Sequence, residues 1–225
     1  MTLRQVILSR VIRQVAIVST GAPRLDAIQR IKERYHFMKA PLRFEDLNPD
    51  NPLAAVQGLT FQEGEFVANQ KRIGILRFQF VPGVILADSR ATTEETDLFL
   101  EDYINFANGI APEAITSTGP TYYLSQVEVT FERPQGLREG FSQYEEACRM
   151  IDRSLEGYGL KVPKFDFWGV NLNIDAHHLG VLAPAFFNLE RRAGFPFSAN
   201  VFFSQAPLRT KDHLVLLEKL DSIIH

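Results

Sequence analysis

The chain has a single cysteine, Cys148, so no intramolecular disulfide can form, and a lone thiol fits a reducing compartment. A cytoplasmic protein is the expectation. An excess of one charge is also missing: 24 basic against 27 acidic residues leave a net charge of -3, without the basic footprint that a phosphate backbone needs. Nucleic-acid binding is therefore disfavoured. Long apolar runs are absent, since Arg4, Arg10 and Arg13 interrupt the stretch from Met1 to Thr20 and no later segment nears the roughly eighteen apolar residues of a span. Neither a signal peptide nor membrane contact is expected.

Sequence motifs for chemistry are just as sparse. There is no G-x-G-x-x-G, no P-loop and no G-x-S-x-G elbow, and Cys148 falls on an apolar helical face, so nucleophilic hydrolysis lacks its usual parts. No cofactor or metal is expected. The one excess is 18 Phe against one Trp. Phe has no polar tip to satisfy, which suits a core built on rings, although an apolar ligand cavity or partner surface would use the same residues.

With 225 residues the chain can bury a large core without staples. Alternation from Arg13 to Thr20 predicts a strand, and Leu25, Ile28, Ile31 and Tyr35 predict a helix. Pro41, Pro49 and Pro52 among Asn and Asp forbid regular structure, so residues 40–55 form a long loop. Strands follow at Leu59–Val67, with a bulge or turn at Glu63-Gly64, and at Arg72–Phe80; Val84–Ala87 extends the sheet. Thr92 and Glu95 have capping-box spacing ahead of the stripe Leu98, Phe99, Tyr103 and Phe106. Tyr123–Phe131 closes the series.

This order, strand-helix-strand-strand-helix-strand, is that of a ferredoxin-like unit over residues 1–133. RNA-binding sheets share it, but Arg72-Ile73-Gly74-Ile75 has Ile where their aromatics would stack bases. Residues 134–225 read as helix, three strands and helix. Ser142 and Glu145 cap the first of these helices, whose face carries Tyr144, Cys148, Ile151 and Leu155. Strands are expected at Lys164–Asp175, with a register break at Gly169, at Phe186–Arg191 and at Phe197–Ser204, before a last helix from Lys211 to Ile224. The fold class is thus α+β, with a mostly antiparallel sheet and a C-terminal αβββα unit packed on or extending the first.

Titratable groups crowd only at Asp175-Ala176-His177-His178, where Asp175 and His177 share a face if the strand continues and could serve acid/base chemistry. His178 would face the other way. A surface turn explains the same residues. Arg191 and Arg192 beside Gly194 could hold a carboxylate or phosphate, or form a solvated hairpin tip. Asp212-His213 reads as structural, because helical neighbours do not face each other. The preferred function is a non-catalytic binding or assembly module for a protein partner or a homo-oligomer. Its rival is a small-molecule enzyme with His177 or His178 as acid/base, Asp175 as orienter and Arg191 or Arg192 as anion clamp.

Overall fold

A computed structural model describes residues 1–17, 25–40, 59–81, 83–110, 115–132, 143–158, 168–173 and 184–222. The expected loop over 40–55, apart from Ala40, lies outside them, as do Ser142 and most of the strand expected at Lys164–Asp175. Among the described residues are eight strands and four α-helices: β1 (Thr2–Ile17), α1 (Leu25–Arg34), β2 (Leu59–Ala68), β3 (Lys71–Val81), β4 (Val84–Ser89), α2 (Thr93–Ile110), β5 (Ile115–Thr130), α3 (Gln143–Gly157), β6 (Gly169–Leu172), β7 (Phe187–Arg191), β8 (Val201–Ala206) and α4 (Thr210–Ser222). The strands form a mostly antiparallel sheet in the order β2-β3-β4-β1-β5-β8-β7-β6. The fold is α+β, and no described helix is long and apolar enough to cross a membrane.

Packing divides the chain inside β1 and β5 into a first unit (6–126 with 207–210) and a second (1–5, 127–206 and 211–225). In the first unit, β4 lies between β3 and β1 and pairs with both. A bulge in β3 between Ile75 and Arg77 sets Arg77 opposite Asp88, and Arg10 reaches Asp88 from β1. The result is a saturated triplet: Arg10 meets the carboxylate at 2.7 and 3.1 Å and Arg77 at 3.0 and 2.9 Å. β1 begins well before the expected Arg13, and its start escapes the alternation pattern because both of its faces mix charged with apolar residues. Arg13 itself points to the core side, where it pairs with Asp97 and Glu101 of α2. That placement hides the alternation.

Part of the phenylalanine excess builds this unit's core. Tyr35, Phe37, Phe61, Phe78 and Phe99 are fully buried, and their rings meet edge-on, tilted or stacked, as in Phe78–Phe99 at 5.4 Å and Phe78–Tyr103 at 4.5 Å. Phe37 lies so close to the backbone of Gly64 that a Cβ there would run into the ring. Glu63 takes a positive φ of 57°, yet β2 keeps its register against β3, so the irregularity is a kink without an inserted residue. The Thr92/Glu95 capping box forms as the spacing predicts, with Thr92 N–H donating to Glu95 at 2.9 Å and Glu95 N–H donating to Thr92 Oγ1 at 3.3 Å.

In the second unit, the end of β5 packs with β8 and β7. Val127, Val129, Phe131, Leu189, Phe202 and Leu217 are buried, and Phe131 meets Phe202 edge-on at 5.1 Å. The expected strand at Phe197–Ser204 is a 3-10 turn over Phe197–Ala199 followed by β8. Asn200, at φ 53°, makes the break between them.

Candidate functional site

Asp175, His177 and His178 lie outside the described residues. Arg191 and Arg192 are described, and as neighbours at the end of an extended strand they leave on opposite faces. Arg191 donates to the Phe197 carbonyl at 3.0 Å and stacks over Phe197 and Phe202. Arg192 lies over Phe203 and pairs with Glu128 at 3.2 Å. A tight turn follows: Phe195 N–H bonds back to the Arg192 carbonyl, and Gly194 supplies the φ of 87° that a type II turn needs at its third position. The second guanidinium near Arg192 is therefore not its neighbour in sequence. It is Arg4, which also pairs with Glu128.

One polar contact escaped sequence reading. His213 Nε2 and Ser204 Oγ are 2.9 Å apart and both residues are wholly buried. Their nine-residue separation crosses from β8 to α4, so no local pattern signals it. The Ser204 hydroxyl has one proton and gives it to the Asn188 carbonyl at 2.7 Å, so His213 Nε2–H must donate to Ser204. Burial pushes the ring's pKa down to about 4, which favours the neutral form near pH 7. A nucleophilic serine needs the opposite polarity, with an imidazole lone pair facing Oγ. The pair is a structural hydrogen bond.

The sheet's two terminal strands differ in a way that singles out β6. Along β2, the backbone at Gln62, Glu63 and Glu65 is hydrogen-bonded by Tyr35, Met38 and Lys39, and the strand carries two glutamates and a kink. Such features guard an edge against further pairing. β6, with sequence Gly-Val-Asn-Leu, has no charge, and β7 is its only partner among the described strands. Asn171 is steadied by Asn188, whose Nδ2 donates to its Oδ1 at 2.8 Å.

Beside β6 runs α3. Tyr144, Ala147, Cys148 and Ile151, spaced at helical intervals, face Gly169, Val170 and Asn171 across a groove of about 390 Å³. Cys148, expected in the core, is only half-buried and lines this groove. No described side chain of α3 is fully buried. Tyr144 is 53% exposed and Ile151 42%, with Trp168 at 46% and Leu172 at 60% along the strand side. The amphipathic pattern of α3 was legible in the sequence, but whether other residues cover its apolar stripe is a tertiary matter.

Among the described residues, no three His, Cys, Asp or Glu side chains cluster closely enough to hold a metal ion. In comparisons with known proteins, no protein-family model and no curated protein matches the chain.

Proposed function

We propose that the protein is a non-catalytic cytoplasmic binding or assembly module that takes up an extended protein segment, from a partner or a second copy, along β6 and the α3 groove. It is built on a ferredoxin-like N-terminal unit with β4 as an added strand and a C-terminal extension. One observation carries the reading: an uncharged terminal strand lies directly beside an apolar helical stripe. An added strand would draw main-chain hydrogen bonds from β6, and its alternate side chains would enter the groove against Tyr144, Cys148 and Ile151. A helix the length of α3 is marginal alone in water, so covering its apolar face would stabilise it. The enzymatic alternative needs His177 or His178 and an arginine at one point. Arg191 and Arg192 point apart, so at most one of them would face a given ligand.

The test uses the full chain. Sedimentation velocity over a hundredfold concentration range reads self-association. NMR titration with extended apolar peptides selected from a random library reads partner binding. Either a concentration-dependent dimer or peptide-induced shifts confined to α3 and β6 supports the module. Ile151→Lys with Leu172→Lys, both at exposed positions, should then weaken the association at least tenfold, about 1.4 kcal/mol, with circular dichroism unchanged. A monomer throughout, with no selected peptide shifting α3 or β6, sinks the proposal.

A further inference from the structure

The second unit contains a carboxylate held between two arginines, Glu128 between Arg4 and Arg192, and its geometry departs from that of the Asp88 triplet. Both carboxylates are buried, with 7% of the Glu128 side chain and 8% of the Asp88 side chain exposed. Asp88 receives contacts of 2.7–3.1 Å through Nε and Nη2 of both its arginines. Glu128 is approached through Nε, by Arg4 at 3.4 Å and by Arg192 at 3.2 Å. A charge-assisted N–H···O bond is normally about 2.7–2.9 Å, so these are loose pairs.

The Nη groups of Arg4 and Arg192 bond to no described residue, and the two side chains are 38% and 41% exposed. Each guanidinium is backed by a ring, Arg4 by Phe195 at 5.0 Å and Arg192 by Phe203 at 5.9 Å. The aromatic faces hold the planar forks without consuming their in-plane donors. One carboxylate against two guanidiniums leaves a surplus positive charge at the surface, with unspent N–H donors.

We infer that Arg4 and Arg192 form a binding site for a small oxyanion, a carboxylate or a phosphate, held by their Nη groups above Glu128. The type II turn at Gly194 supports it by bringing Phe195 under Arg4. Glu128 sets the site's strength: it positions both arginines through Nε, and its charge opposes the anion, so affinity is moderate and discrimination comes from fork geometry. The site shares no residue with the α3 groove and stands or falls independently of it.

Thermal melts of the full chain with inorganic phosphate and, separately, acetate, against chloride at equal ionic strength, test this. Phosphate, acetate or both should raise the melting temperature beyond chloride, and the one that does so identifies the anion class. Arg192→Lys, which keeps the charge but loses the fork, should reduce the apparent affinity severalfold, and Arg4→Gln should abolish the shift. Glu128→Gln should bind the anion roughly tenfold tighter, since an opposing charge is removed; a purely structural triplet would show no such gain. Wild-type NMR titration reads the same site without a variant, through shifts of the amides at 192–195. No rise beyond chloride with either anion, or a rise that survives unchanged in both arginine variants, overturns the inference.

Discussion

His213 shows how one buried side chain ties stability to pH. Its folded pKa is depressed to about 4, below the ordinary value near 6.5, because desolvation disfavours the imidazolium. Above pH 6.5 both folded and unfolded chains hold it neutral, and its contribution is fully present. Between pH 6.5 and 4 the unfolded chain takes up a proton that the native chain refuses, so stability falls as pH falls, by about 3 kcal/mol over the window. His213→Gln keeps a donor for Ser204 and removes the titration. Urea denaturation at a series of pH values should show a drop between pH 7 and 4 that is smaller by about 2–3 kcal/mol in the variant; parallel curves would refute the assignment. The pair was illegible in the sequence. Asp212-His213 reads only as a cap and its neighbour, and Ser204 as one polar residue in a strand.

Helix starts are where local sequence and long-range structure meet. The Thr92/Glu95 box is local, with both partners inside one turn, and it was readable from spacing alone. Thr93 and Thr210 are different. Thr93 N–H donates to Thr210 Oγ1 at 2.9 Å, and Thr210 N–H donates to Thr93 Oγ1 at 2.6 Å, with both residues buried. Each threonine satisfies an amide at a helix start that has no partner within its own helix. Thr93→Val and Thr210→Val should each cost about 1–2 kcal/mol in chemical denaturation, and the double variant should cost clearly less than the sum. Strict additivity would show the caps to be independent. Thr210 opens its helix, and its reciprocal partner lies 117 residues away. No periodicity carries that information.

At the scale of the whole molecule, stability should be uneven along the sheet. β3, β4 and β1 are paired on both sides and lie beside a ring-filled core, while β6 has four residues, a single described partner and half-exposed or exposed side chains. Local opening is cheapest where burial and pairing are least. In native-state hydrogen exchange, the paired amides of β4 should exchange at least roughly a thousandfold more slowly than those of β6. Equal protection would mean that β6 is covered more firmly than its described neighbours imply. The same contrast underlies the proposed binding role, since an element that opens easily also accepts a new strand at little cost.

Taken alone, the sequence determined the α+β class, the helical and strand periods of most elements, the α2 capping box and the supply of rings for a core. These follow from interactions within a few residues or from composition, and local physics suffices for them. Tertiary structure decided the rest. It separated Arg191 from Arg192 and gave Arg192 a distant companion in Arg4, because strand neighbours must face opposite sides while residues far apart in the chain can share a face. It turned Arg13 toward α2, and it left Cys148 and the apolar stripe of α3 lining a groove. Burial belongs to an arrangement of elements, and a residue's own pattern states only which face could be buried.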